Sequence, residues 1–281
     1  MIDKQIIYFF IYCFAGWICE IFYCAMLEKH FTNRGFLRGP YLPIYGSGAM
    51  SIIYVVSPIF SNPILIFIFS LIVCSLIEYI GSLILEKAFH IKLWDYSNYF
   101  ANINGRICLL NSSLFGVFGI VLVYFIHPVL VNSVDLLSQL TRYYLSTAIE
   151  ILLTFDFALS VMRMNAFAIA MEDIRIKSEE LQQRVESISA NSPKNLREAK
   201  ERLEDELYKQ KAILAVKSSK IFSAFPTMKY KDSQTSLSLE LFKMDLKSFV
   251  AKGKEENQKR SENVNVMYEN AKARVKNARK K

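Results

Sequence analysis

The chain has 281 residues, 52% of them hydrophobic and 14% aromatic, with only 21% charged, a composition too apolar for a soluble domain of this size. Its net charge of +8 would suggest a nucleic-acid partner if it were spread over a fold, but up to residue 171 the chain has nine Lys/Arg and nine Asp/Glu, and beyond it 25 and 17. The whole excess lies in a tail without aromatic-basic recognition motifs, which excludes nucleic acid as the expected partner and points to a cytoplasmic segment near anionic membrane lipid.

A hydrocarbon core of about 30 Å needs about 20 apolar residues in a helix. Five runs meet or approach this length, at 6–27, 44–60, 63–85, 107–126 and 143–170, the second being the shortest. Lysine and arginine are biased toward alternate connections. The segment after the first run holds Lys29, Arg34 and Arg38, and the one after the third holds Lys87, Lys92 and Arg106, whereas 61–62 and 127–141 hold none. The basic loops are therefore expected to face the cytoplasm, with the N-terminus outside and the tail inside a multi-pass protein of the cell membrane. The first run is too long for a signal peptide, its flank is not basic, and no small-x-small cleavage site follows.

The expected fold is all-α: a polytopic bundle of about five transmembrane helices over 1–171, followed by a cytoplasmic helical tail over 172–281. The five cysteines lie in or beside the spans without a Cys-x-x-Cys pair, and His30, His90 and His127 are isolated. Neither a metal site nor a disulfide framework nor a cofactor is expected from them.

An internal repeat is present. EIFYCAMLEKHF, 20–31, aligns without gaps to EYIGSLILEKAF, 78–89, with five of twelve positions identical. Further on, Arg34 leads to IYGSG at 44–48 and Arg106 leads to LFGVFG at 114–119. This pattern predicts two parallel helix-pair copies, with a binding site at their interface. Glu20 and Glu78 fall at equal depth, about 10 Å below the cytoplasmic interface by helical rise. A carboxylate there costs a few kcal/mol unless it is protonated, paired or open to a wet cavity. The alternative role for both is a neutral hydrogen bond to a neighbouring helix. Glu28 and Glu86 read as a solvated rim beside lysines. Asp156 and Arg163, seven residues apart in the fifth run, share a helical face but are too far apart to pair directly.

The connection FTNRGFLRGPYLPIYGSGAM, 31–50, crowds four glycines and two prolines into twenty residues. Pro40 and Pro43 forbid one continuous helix across it, so irregular backbone is expected, tolerated at membrane depth only where protein buries it or water reaches it. Asn33, Arg34, Arg38, Tyr41 and Tyr45 are candidate donors to an anion. The corresponding loop WDYSNYFANINGRICLLNSS, 94–113, offers Asp95, Asn98, Asn102, Asn104 and Arg106. Together these predict a cytoplasm-facing pocket built from Glu20, Asn33, Arg34, Glu78, Asp95, Asn104 and Arg106, with arginines suited to bidentate recognition of phosphate or carboxylate. In the tail, Ser192-Pro193 reads as a helix start, and leucines at 196, 203, 207 and 214 recur at near-helical spacing, as in a coiled coil.

The blocks GWICE, NRGFLRGPYLPIYGSG, IEYIGSLILEK, WDYS and NINGRICL resemble those of the bacterial family labelled putative ABC-transporter type IV. The resemblance covers roughly 6–128 and implies a permease. No Gly-x-x-x-x-Gly-Lys-Ser/Thr phosphate loop occurs, so an ATPase would be a separate partner chain, joined through the tail, and so small a membrane domain invites a homo-oligomer. Two other functions fit the composition: a membrane enzyme acting on a lipid headgroup with Glu20, Glu78 or Asp95 as acid or base, and a non-catalytic scaffold with a partner-binding tail.

Overall fold

The structure is a computed structural model and describes residues 2–28 and 35–191 and, in the tail, Ile221, Ala224, Phe225 and 228–230. It is built of helices: α1 (Ile2–Glu28), α2 (Pro43–Ser51), α3 (Pro63–Phe89), α4 (Leu109–Val121), α5 (His127–Asp135) and α6 (Gln139–Asn191), with π-helical turns at Ile52–Val56 and Leu122–Ile126. A two-residue strand β1 (Ile91–Lys92) pairs with β2 (Lys229–Tyr230). The chain divides into two compact units, one of Met1–Ile176 with Ser218–Ser233, the other of Lys177–Lys217 with Gln234–Lys281. The tail helices expected after Ser192 lie outside the described residues.

Among the described residues, four stretches are long and apolar enough to cross a membrane: Ile2–Phe22, Pro63–Phe89, Leu109–Asp135 and Gln139–Asp173. The second expected span is different. Only Pro43–Val56 is helical there, too short to cross alone, and residues 35–42 before it are bends and irregular backbone. The fourth span is longer than expected, because residues 127–135, taken from the sequence as a connection, continue it as α5. Pro128 lacks an amide and would collide with the carbonyl four residues back in a regular helix. The π turn at Leu122–Ile126 widens the helix just before it, and the turn at Ile52–Val56 stands in the same relation to Pro58.

Side-chain contacts at the helix ends give the course of the chain. Asp3 and Lys4 of α1 meet Arg142 and Asp135, so the start of α1 lies beside the α5–α6 turn. Tyr124 donates to the Ser61 carbonyl just before α3. The starts of α1, α3 and α6 thus lie at one end, and these three helices run in the same direction. The loop between α3 and α4 lies at the other end.

Packing follows the inverted logic of a membrane bundle, where lipid is the apolar phase and small or polar residues meet between helices. In α3, Ile64, Ile68, Ile72, Leu76, Ile80 and Ile84 form an exposed row at helical spacing, while Ser70, Cys74, Ser75, Glu78 and Ser82 are buried. Ser75 donates to Ser112 of α4 at 2.7 Å. Glycines bring helices together where a side chain would obstruct them. A Cβ on Gly46 would run into Cys13 Sγ and the Phe9 ring of α1, and one on Gly119 into Ser70 of α3.

Gly46→Ala is expected to overpack the α1–α2 contact and cost about 1–3 kcal/mol, lowering the thermal midpoint of the purified protein. A Cβ on Gly81 would lie 3.5 Å from Ile44 Cδ1, an ordinary contact, so Gly81→Ala serves as the neutral control. Equal midpoints for the two variants would contradict the packing.

Candidate functional site

The irregular segment before α2 does not lie on the membrane surface. The Leu42 amide donates to the carbonyl of Cys13, in the middle of the first span, at 3.0 Å. Asp156, near the middle of the α6 span, accepts from the amides of Arg38 and Gly39, at 3.1 and 2.9 Å, and from the Tyr41 hydroxyl at 2.7 Å. The chain therefore re-enters the bundle as non-helical backbone before turning outward again as α2. Two helical turns from Asp156, Arg163 Nη2 donates to the Phe36 carbonyl at 3.3 Å. This explains the seven-residue spacing: the acid and the base do not pair, and each grips the same re-entrant segment, the acid taking its amides and the base its carbonyl.

Beside that segment stands a cluster of acids and phenols. Tyr45, on the first turn of α2, lies against Gly16 and donates to Glu20 Oε2 at 2.7 Å. Tyr96, in the loop after β1, donates to Glu78 Oε1 at 3.3 Å. Glu78 is only 7% exposed, and its Oε2 has no hydrogen-bond partner among the described residues. Both carboxylates lie near the Tyr96 hydroxyl. Burial first, then these two carboxylates, push the Tyr96 hydroxyl far above the usual phenol range, so it remains a donor at every physiological pH.

The loop at 90–108 is a folded platform across the end of α3. Asn104 and Gly105 take left-handed backbone, φ 53° and 61°, and the Gly105 carbonyl accepts from the Tyr96 amide at 2.8 Å. Lys92 Nζ bridges Asp95 Oδ1 and the Asn104 carbonyl, both at 2.8 Å. Asn104 Nδ2 donates to the Tyr79 hydroxyl at 2.8 Å, and Trp94 Nε1 to the Arg106 carbonyl at 3.0 Å. Arg106 is buried, its guanidinium 2.6 Å from Glu86 Oε2 and 3.0 Å from Ser82 Oγ, with the Tyr79 ring 5.6 Å away.

Of the seven residues singled out in the sequence, Glu20 and Glu78 meet in the acid–phenol cluster, and Asp95, Asn104 and Arg106 meet in the adjoining platform. Asn33 and Arg34 lie outside the described residues. Glu86 is not a solvated rim, since it partners Arg106. Tyr41 and Tyr45, read as donors to an anion, donate to the protein's own carboxylates. The sequence reading missed Tyr96, whose one signal was its place in the WDYS block. It also left His127 isolated, whereas Tyr12 Oη and His127 Nδ1 lie 2.6 Å apart.

Residues 7–161, more than half of the chain, match the model of the family described as putative ABC-transporter type IV. The chain belongs to this family. The match takes in α1 through most of the α6 span, and with it every described element of the re-entrant segment, the acid–phenol cluster and the platform. No curated protein and no solved structure matches the chain. The family and the apolar helices together make this a multi-pass membrane protein related to transport.

Asp156→Ala is expected to strand two backbone amides and a hydroxyl inside the bundle, a loss of at least about 3 kcal/mol. Asp156→Asn keeps one acceptor oxygen and should lose less. Thermal unfolding of the three purified proteins checks the order, and an Ala variant as stable as the parent would contradict the bonding described.

Proposed function

We propose that this family member is a permease or transport component that binds a small polar or anionic group from the cytoplasmic side, between the re-entrant segment and the 90–108 platform. The observation that carries this reading is the broken second span. Non-helical backbone at membrane depth is a recurrent device of transporter binding sites, where freed amides and helix starts meet a substrate. The amides of Arg38 and Gly39 already coordinate one carboxylate, that of Asp156, and a ligand carboxylate or phosphate has the same chemistry. Glu20 and Glu78 at the margin of this region suit a ligand that also offers a donor.

The cytoplasmic assignment rests on charge. The end that carries the platform also carries Lys87, Lys92 and Arg106 and leads into the basic tail. The other end holds fewer, Lys4 and Arg142, beside the α5–α6 turn. By the positive-inside rule we read the platform end as cytoplasmic and the N-terminus as outside.

We also infer the duplication of a helix pair. Its support is the 20–31 and 78–89 match, the shared direction of α1 and α3, and a π turn two residues before a proline in each returning helix. Energy would come from a separate ATPase, and assembly from a second copy or another chain.

Purification with native lipids, followed by mass spectrometry of what co-purifies, should yield a small polar or anionic compound. Glu78→Gln and Glu20→Gln are expected to weaken its binding at least about tenfold, a change of about 1.4 kcal/mol, with a thermal midpoint near that of the parent. Unchanged binding in both variants would remove the acids from the site. A cysteine at Ser97 should react with a membrane-impermeant reagent only after the cells are opened, and labelling from outside would reverse the topology.

A further inference from the structure

The strand pair joins parts of the chain that are far apart in sequence. β1 follows α3 directly, whereas β2 comes from the tail, with Ile91 opposite Tyr230 and Lys92 opposite Lys229 in antiparallel register. A two-residue ladder has little stability of its own, so something else must hold it. In the tail, Ile221, Ala224, Phe225 and Met228 are all buried, Met228 to 1% exposure, and so are Phe89, Ile91 and Leu93 around β1. The Phe225 amide donates to the Ile221 carbonyl and the Met228 amide to that of Phe225. The surrounding piece, Ser218–Ser233, belongs to the same compact unit as the membrane helices.

β1 is also where the platform begins. The backbone of Lys92 faces Lys229, and its ammonium holds Asp95 and the Asn104 carbonyl. Four residues further on, Tyr96 reaches Glu78. Whatever fixes β1 thus fixes the loop that supplies a hydroxyl to the buried acid.

We propose that the tail at β2, with Ile221, Ala224, Phe225 and Met228 before it, is a strap: this chain's own tail adds a strand to β1, orders the 91–107 loop and so keeps Tyr96 on Glu78. Strand addition to an open edge gives affinity through main-chain hydrogen bonds, and the apolar side chains beside it give specificity. A tail held elsewhere, for instance by a partner that binds it, would release the loop. The acid–phenol contact is then under the control of a segment more than a hundred residues away in sequence.

The test uses the full chain and reads loop order directly, so its result does not depend on which ligand the site binds. With Lys92→Cys and Lys229→Cys together, oxidation should form a disulfide within one polypeptide, since directly paired strand positions bring Cβ atoms close enough for one. Hydrogen exchange of the Tyr96 and Arg106 amides should then be slower in the oxidised protein than in the same protein reduced. Met228→Asp should raise exchange of these amides at least about tenfold while α1 and α3 amides stay protected. A disulfide that forms only between two chains, none at all, or loop exchange unaffected by both the lock and the aspartate would overturn the strap. The oxidised-against-reduced comparison remains decisive if the aspartate variant fails to fold.

Discussion

A carboxylate in the middle of a membrane helix must find donors inside the protein, because neither water nor lipid supplies them there. Asp156 finds them in the amides of Arg38 and Gly39 and the hydroxyl of Tyr41. The same requirement acts on the other side: amides in a non-helical segment at that depth need acceptors. Each satisfies the other. Once α6 supplies Asp156, the chain after α1 can enter the bundle without being helical, and α2 can start from inside the membrane rather than at its surface. The Arg163 contact to Phe36 and the Leu42 contact to Cys13 complete the enclosure from two further sides.

The remaining charges are handled by the same matching of partners. Arg106, buried at the end of α3, meets a carboxylate, a serine hydroxyl and the face of a tyrosine. Lys92 and Asp95 pair within the loop that carries them. Glu20 and Glu78 each accept a hydrogen bond from a phenol, Tyr45 and Tyr96 respectively. Among the described residues, Glu78 Oε2 is buried without a hydrogen-bond partner, as are Arg106 Nε and Arg163 Nε.

The α3 sequence made the long helix legible, since its apolar run has the length that hydrocarbon requires. It also carried the inside face in plain view: Ser70, Cys74, Glu78 and Ser82 at four-residue spacing, opposite an isoleucine row. Pro40 and Pro43 announced that 38–44 could not be one helix, and the structure places the break there. Other features were not legible from neighbours in sequence. Asp156 and Arg163 gave no hint that both would reach one loop more than a hundred residues earlier. Glu86, flanked by Lys87, resembled a surface pair, and its partner Arg106 arrives only because the platform folds back over α3. The length of the fourth span was hidden by Pro128, which a π turn accommodates.

The sequence by itself determined that the chain enters a membrane, roughly how many times, and at which end its positive charge gathers. These follow from local quantities, run length and loop charge, that any solvent boundary reads in the same way. Only the tertiary structure decided that one of the crossings is half irregular backbone, and that Asp156 is its support rather than part of the Glu20–Glu78 cluster. It also decided that a stretch of the tail returns to pair with β1. These depend on which donors and acceptors meet across helices, and a buried polar group is satisfied by its neighbours in space, which the order of residues along the chain does not name.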